Sequence, residues 1–118
     1  MSSVDSKATN MDNRPMVGNN LVGTITKDRN VVTEFREHFY ERLEERGIAS
    51  SEVANALKEP MHITEDRTDP VTGEVSKQYI GRHVTVAYNP NSRSVITAWR
   101  TGSRYVKKYG GDFYYDKA

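Results

Sequence analysis

The side chains of this chain that can do chemistry without a metal are histidines, arginines, lysines, hydroxyls and tyrosines. The chain has 118 residues and no cysteine, so cysteine nucleophiles and thiolate zinc sites are excluded. Its histidines, His38, His62 and His83, lack the spacing of metal ligands on one helix turn. The basic half has no closely paired acidic motif, and the chain has no glycine-rich phosphate loop or dinucleotide fingerprint. We therefore expect neither a metal nor a cofactor.

These residue types suffice for the cleavage of RNA. A base takes the proton from a 2′-OH, which attacks the adjacent phosphorus, and an acid protonates the leaving 5′-oxygen. A cation stabilises the charge that builds on the phosphoryl oxygens. Histidine suits the acid and base roles because it titrates near neutral pH. Arginine suits the phosphate because its planar fork donates two hydrogen bonds.

Each candidate residue also has an ordinary structural explanation. Spacing alone favours reading His38, with Arg42 one turn further on, as a boundary histidine beside a helix-surface arginine. His83 also fits a half-exposed strand residue, and Arg82 a turn residue. Thr97 suits a strand through its propensity.

The end of the chain is both aromatic and basic. Tyrosines and cations interleave there: Arg104, Tyr105, Lys107, Lys108, Tyr109, Tyr114 and Tyr115. Such a mixture makes a stacking platform for single-stranded RNA, and a packed tyrosine-rich edge explains it about as well. Core packing is the commonest role of a single tryptophan such as Trp99.

The net charge of +1 conceals a division of the chain. Residues 1–74 carry 9 basic and 14 acidic side chains, a net charge of −5, whereas residues 75–118 carry 8 basic and 2 acidic ones, a net charge of +6. This asymmetry favours a surface that faces a polyanion. The alternative is a basic sheet edge, which lysine and arginine protect from further pairing.

The elements that must position these residues centre on residues 75–100. We expect three short strands there, joined by tight turns at Gly81-Arg82 and at residues 89–92. With a two-residue loop at Gly81-Arg82, Tyr79 lies opposite Val84. One face, apolar enough to be a core, then collects Val75, Lys77, Tyr79, Val84, Val86 and Tyr88. The other face, small and polar, collects Ser76, Gln78, Ile80, His83, Thr85 and Ala87.

Two registers are open for the third strand, depending on the loop at Pro90. A three-residue loop places Val95, Thr97 and Trp99 on the polar face. A four-residue loop places Ile96 and Ala98 there instead. We favour the shorter loop because it buries Ile96 and Ala98.

Two helices precede this stretch. The first is predicted from Asn30 to Arg46, with Thr33 as its N-cap, Gly47 as its stop signal and an apolar stripe of Phe35, Phe39 and Leu43. The second is capped by Ser50 or Ser51 and ended by Pro60, and Val53, Ala54 and Leu57 face the core.

The remaining segments complete an α+β prediction, with the two N-terminal helices packed on one face of an antiparallel β-meander of about four to five strands. Residues 61–66 are a candidate strand, and residues 104–109 are either a basic edge strand or a helical turn. Residues 113–115 are a candidate last strand. Residues 1–30 are expected to be a flexible N-terminal segment or linker, and residues 31–118 the folded domain. Neither a membrane span nor a signal peptide is expected.

Three segments together carry a family resemblance. Residues 38–60, 78–90 and 94–102 read HFYERLEERGIASSEVANALKEP, QYIGRHVTVAYNP and SVITAWRTG. The ordered set resembles small nucleases of the barnase/EndoU/colicin/RelE-like superfamily. Within it, the set is most similar to C-terminal toxin domains of contact-dependent growth inhibition proteins, other polymorphic toxins and phage head proteins. The resemblance covers residues 33–105.

The resemblance implies a metal-independent ribonuclease that cleaves RNA, often tRNA, and leaves a 2′,3′-cyclic phosphate. Such toxins are secreted as part of a larger effector, act in the cytoplasm of the target cell and are blocked in the producer by an immunity protein. A monomer is expected when the protein is free. Carried over residue by residue, the catalytic set is His38, Arg82, Thr97, Tyr79 and Lys77.

Around that set, we expect the RNA-binding residues to be Arg42, His83, Thr85, Trp99, Arg100, Arg104, Tyr105, Lys107 and Lys108. Two other classes fit the same sequence. One is a non-catalytic RNA- or protein-binding module, such as a RelE-like toxin–antitoxin partner. The other is a structural domain of a phage or secretion protein.

Overall fold

Three antiparallel strands in the middle of the sheet carry the fold. In the computed structural model, which describes residues 21–110, the strands are β1 Glu34–Phe35, β2 His62–Ile63, β3 Arg67–Thr68, β4 Val75–Ile80, β5 Val84–Asn89 and β6 Ser94–Arg100. The helices are α1 Phe39–Arg46, α2 Ser50–Lys58 and α3 Ser103–Tyr109. The strand order is β1-β6-β5-β4-β2, and β3 also pairs with β4. The α+β class is as predicted, but β1 runs parallel to β6, so the sheet is mixed and not a pure meander.

The β4–β5 hairpin turns one residue later than predicted. The Gly81 N–H donates to the Val84 carbonyl at 2.9 Å, so the two-residue loop is Arg82-His83, and Tyr79 lies opposite Val86. The predicted pairing is therefore wrong by two residues. Because side chains alternate with a period of two, both faces keep their predicted members, except that His83 lies in the turn.

β6 contains an irregularity, so the facing predicted for its side chains is right towards its end and wrong near its start. Towards its end, Thr97 and Trp99 lie on the polar face and Ala98 is buried on the core face, as the shorter loop predicts. Near its start, Val95 is completely buried and Ile96 is only partly buried, which is the reverse of the prediction. The cause is a register shift in the β5–β6 pairing, since one extra residue in a strand reverses the facing of its neighbours.

The apolar face of β4, β5 and β6 is covered by α1 and α2. The core there consists of Phe39, Leu43, Val53, Ala56, Leu57, Tyr79, Val84, Val86, Tyr88, Val95 and Ala98. Burying a side chain of this size stabilises the fold by roughly 1.5–3 kcal/mol relative to leaving it exposed. The three apolar positions predicted for the second helix, Val53, Ala54 and Leu57, all pack in or against this core.

α1 begins at Phe39, much later than predicted. The residues before it find backbone partners in the strand that follows later in the chain. The Thr33 N–H donates to the Arg93 carbonyl at 2.9 Å, and the Arg36 N–H to the Val95 carbonyl at 2.8 Å. These bonds take the place of helical ones. Thr33 is therefore not an N-cap, and His38, with a left-handed φ of 69°, takes that position.

Residues 21–30 fold against the sheet, so the prediction of a flexible segment over residues 1–30 is wrong for this part. Leu21 belongs to the core, and the Lys27 N–H donates to the carbonyl of Leu57 in α2 at 3.0 Å. The remainder of the predicted flexible segment, residues 1–20, lies outside the described residues, as does the strand predicted at residues 113–115. Within residues 21–110, no helix is long and apolar enough to cross a membrane.

A polar network ties this segment to the core face. The Tyr79 hydroxyl donates to Asp28 Oδ1 at 2.8 Å, and Lys77 Nζ lies 2.6 Å from Asp28 Oδ2. Burial opposes ionisation of the Asp28 carboxyl, but hydrogen bonds from Lys77, Thr26 and Tyr79 outweigh it and lower the pKa to about 2. Burial raises the pKa of the Tyr79 phenol. Lys77 and Tyr79 are thus engaged together beneath the sheet.

The Asp28 network is expected to make stability depend on pH. Its carboxyl pKa is depressed, so its contribution is present above the ordinary value of 3.8 and is lost as the pH falls through about 2. Asp28→Asn should lower the free energy of unfolding by about 2 kcal/mol at pH 7. It should also remove much of the loss that the wild type shows between pH 4 and pH 2. Urea unfolding across this range measures both effects, with the exposed Glu65→Gln as control; an unchanged pH dependence in Asp28→Asn would contradict this account.

Gly81 is expected to be intolerant of a side chain, because α2 passes close to the hairpin. A Cβ at this position would lie 2.7 Å from the Val84 carbonyl oxygen and 3.0 Å from Ala56 Cβ. Gly81→Ala should therefore lower the free energy of unfolding by about 2 kcal/mol, as overpacked sites do. Gly102→Ala is the control, since its Cβ would meet only the Tyr105 ring, at 3.8 Å. Equal losses in urea unfolding of the two variants would rule out the steric explanation.

Candidate active site

Four parts of the chain meet where β6 ends: the last turn of α1, the first turn of α2, the β4–β5 turn and Arg100. We call this group the sheet-end cluster, and its members are Arg46, Glu52, Arg82, His83 and Arg100. Thr101 joins the end of β6 to the hairpin, because its N–H donates to the His83 carbonyl at 3.0 Å and its hydroxyl to the Gly81 carbonyl at 2.7 Å. The backbone thus holds the two strand ends together.

Arg100 connects the two N-terminal helices at this end of the sheet. One guanidinium nitrogen lies 2.7 Å from Glu52 Oε2, and the other donates to the Gly47 carbonyl at 2.5 Å. Gly47 ends α1 in the left-handed conformation, with φ at 65°, where a cation interacts well with the unpaired carbonyls of the helix. The planar fork suits this double contact, which a lysine could not make with the same geometry.

Glu52 is an ionised and partly accessible carboxylate. Its Oε1 accepts the Ala49 N–H at 3.0 Å, so Glu52 also caps the start of α2. This backbone hydrogen bond, followed by the Arg100 guanidinium and the nearby His83, lowers the pKa of the Glu52 carboxyl. The exposed fraction of the Glu52 side chain is 28%, so a ligand can still reach it. His83 and Arg82 are both exposed in the adjacent turn.

Arg46 brings Thr97 to the same region. Its guanidinium donates to the Ala98 carbonyl at 2.6 Å and to the Thr97 hydroxyl at 3.2 Å. Together with Thr97, the cluster therefore combines a carboxylate, an imidazole, several guanidiniums and a hydroxyl. Such a set can accept a proton, donate one and neutralise a phosphate. In residues 21–110, no group of three acidic or histidine side chains is arranged to hold a metal ion.

The structure does not bring together the five residues predicted to be catalytic. Arg82 and Thr97 lie in or beside the sheet-end cluster, whereas Lys77 and Tyr79 bind Asp28 on the core face. His38 lies at the opposite end of α1 from Arg46, and its Nδ1 is 2.8 Å from Glu41 Oε1. Because α1 packs on the core face, His38 does not lie over the polar face.

The predicted RNA-binding residues lie in four places. His83 and Arg100 belong to the cluster, and Arg42 is an exposed residue of α1 that pairs with Glu45 at 3.6 Å. Thr85 and Trp99 lie opposite each other on the polar face. The last group is on α3: Arg104, Tyr105, Lys107 and Lys108.

The polar face is not open along its whole length. α3 begins just after Thr101, whose hydroxyl lies 2.8 Å from the Thr85 hydroxyl, and ends at Tyr109, which stacks on His62 of β2. Both Ile80 and Thr85 are buried, each with 3% of its surface exposed. The helix therefore covers one end of the polar face.

Two cluster residues, Arg46 and Glu52, were not predicted from the sequence. Glu52 follows Ala49 by three residues at a helix start, a signal for helix capping. Arg46 lies in the last turn of a helix, where basic residues are common. These local signals explain each residue as a helix stabiliser, and the contacts with β6 depend on tertiary packing.

Removing Arg100 is expected to change the ionisation of Glu52 only in part. In Arg100→Met the pKa of the Glu52 carboxyl should rise towards its ordinary value of 4.5, because one hydrogen bond and one positive charge are lost. It should stay below that value, because the Ala49 N–H remains. A carbon-13 NMR titration of the carboxyl measures this, with Arg42→Met as the matched control. A Glu52 pKa unchanged by Arg100→Met would show that the ion pair does not form in solution.

Comparison with known proteins gives one family. A family model with the description "Domain of unknown function (DUF4258)" matches residues 35–100, which is more than half of the chain. These residues include the whole of the sheet-end cluster. Neither a curated protein nor a solved structure matches the chain.

Proposed function

The chain therefore belongs to the DUF4258 family, and we propose that this member is a metal-independent endoribonuclease toxin that works through the sheet-end cluster. The observation that carries the proposal is that His83 lies near enough to Glu52 to lower the pKa of its carboxyl, with Arg82 next to His83 in the exposed turn. In attack by a 2′-OH, a carboxylate can act as the base, an imidazole as the acid and a guanidinium as the cation.

The reaction needs one proton acceptor and one proton donor. Glu52 takes the proton from the 2′-OH, and the oxygen attacks the adjacent phosphorus. The bond from phosphorus to the 5′-oxygen breaks, and protonated His83 gives its proton to that oxygen. The products are a 2′,3′-cyclic phosphate and a free 5′-hydroxyl. The pKa of the Glu52 carboxyl lies below its ordinary value of 4.5, so at neutral pH the side chain is the carboxylate that can accept a proton.

The cations of the cluster have different parts in this scheme. Arg82, exposed in the turn next to His83, binds the scissile phosphate and stabilises its developing charge. Arg100 holds Glu52 in position through the 2.7 Å contact and acts as a positioning residue. Arg46 holds the Thr97 hydroxyl at the edge of β6, where it orients the phosphate.

The biological setting is proposed from the family resemblance. The net charge of +6 on residues 75–118 suits an RNA substrate, and tRNA is the proposed target. The protein would enter the cytoplasm of a rival cell as part of a larger effector. An immunity protein would block it in the producing cell.

Cleavage of RNA without metal is the direct test. Total tRNA incubated with the protein in EDTA should yield discrete fragments that end in a 2′,3′-cyclic phosphate. Glu52→Gln and His83→Ala should each slow cleavage by at least about 100-fold, because each removes an acid–base group. Glu44→Gln, which changes an exposed carboxylate of α1, should leave the rate unchanged. Circular dichroism of each variant checks that the fold is intact.

His38→Ala decides between the two histidines. Full activity in this variant, with loss in His83→Ala, supports the site proposed above. The reverse result would move the catalytic histidine to the start of α1, as the resemblance implies. An absence of cleavage at every protein concentration, with RNA binding retained, would overturn the enzyme proposal and favour a non-catalytic RNA-binding module.

A further inference from the structure

A row of parallel aromatic rings lies across β2 and α3. The His62 and Tyr109 rings stack with their centroids 4.1 Å apart and an interplanar angle of 3°. The Tyr105 and Tyr109 rings are also parallel, with centroids 6.3 Å apart and an angle of 6°. We call these three residues the aromatic row. Three rings with one orientation, drawn from two separate elements, form an ordered surface.

The aromatic row lies at the same end of the sheet as the sheet-end cluster. His62 pairs with Ile80, and Gly81 alone separates Ile80 from the Arg82-His83 turn. α3 begins directly after Thr101, whose N–H donates to the His83 carbonyl. The residue after α3 also lies close to the residue before β2, because a Cβ on Gly110 would lie 3.1 Å from Met61 Sδ. The row therefore has a fixed position on the polar face, at the end of the sheet that carries the proposed catalytic residues.

The outer part of the row faces solvent and is surrounded by positive charge. Tyr105 keeps 43% of its surface exposed, and α3 contains no buried residue, so core packing does not account for its tyrosines. Lys108 Nζ lies 5.2 Å from the centre of the Tyr109 ring. Arg104 and Lys107 are exposed on the same helix. Exposed aromatic faces beside cations are typical of surfaces that bind single-stranded nucleic acid.

We propose that the aromatic row is a binding site for an unpaired nucleobase, which stacks on Tyr105 while Lys107 and Lys108 contact the neighbouring phosphates. The choice of RNA as the ligand rests on the proposed function. Bases within a duplex already have both faces covered, so this site requires a single-stranded segment such as a loop. The protein would then cut RNA close to an unpaired base held by α3.

Binding is measured separately from cleavage. The probe is a short fluorescent single-stranded RNA whose 2′-hydroxyls are methylated, so it cannot be cut by attack of a 2′-OH. Tyr105→Ala should weaken its binding to the full chain by roughly tenfold, the usual loss for one stacked base. Tyr105→Phe should retain binding, because the ring remains. The matched control is Tyr40→Ala, since Tyr40 is also 43% exposed but lies on α1; its affinity should equal that of the wild type.

An oligonucleotide of the same length with abasic sites separates stacking from charge. The wild type and Tyr105→Ala should bind it equally, because it has phosphates but no bases. Equal binding of the methylated RNA by Tyr105→Ala and wild type would overturn the proposal, as would an equal loss in Tyr40→Ala. Tyr105-dependent binding of a polyglutamate peptide, at an affinity equal to that for RNA, would also overturn it and indicate a protein partner. Tyr105-dependent RNA binding by a protein that never cleaves RNA would support this site while the ribonuclease proposal fails.

Discussion

Two buried tyrosine hydroxyls determine how the sheet is covered. The rings of Tyr79 and Tyr88 are fully buried and meet edge to face, with centroids 5.8 Å apart. Each hydroxyl needs a hydrogen-bond partner in such a place. The Tyr88 hydroxyl donates to the Val31 carbonyl at 2.6 Å, and the Tyr79 hydroxyl donates to Asp28. Both partners belong to the segment before the first strand, so this segment must lie across the sheet, and α1 and α2 cover the rest of the face.

The sequence predicted which side chains of the central strands share a face, but it did not predict which residues pair between the strands. The alternation of side chains depends only on position within a strand, so a pairing error of two residues left the faces intact. The irregularity near Val95 has no local signal, since a strand can hold one additional residue without any distinctive residue type.

The predicted start of the first helix was wrong for another reason. Residues 30–36 have helical signals, but Thr33 and Arg36 bond to the segment around β6, and pairing over such a distance overrides local preference.

The candidate site was predictable to the extent that it lies within the hairpin meander. Arg82, His83 and Arg100 come together because antiparallel strands return to the same end of the sheet. Glu52 joins them through the packing of α2 on the sheet, which no spacing in the sequence encodes. The resemblance implies a catalytic role for His38, which the sequence analysis places within the first predicted helix. The direction of that helix then places it at the far end from the cluster, and only the packing of α1 gives that direction.

The contact of Arg46 with β6 has a consequence for the behaviour of the protein in concentrated solution. β1 pairs with β6 only at Ser94 and Val95, so within the described residues the outer side of β6 from Ile96 to Arg100 has no neighbouring strand. A bare strand edge of this kind is a template for pairing between molecules and for aggregation. The Arg46 guanidinium donates a hydrogen bond to the Ala98 carbonyl and places a positive charge along that edge. The Arg46 side chain thus opposes self-association at this edge and also contributes to the candidate site.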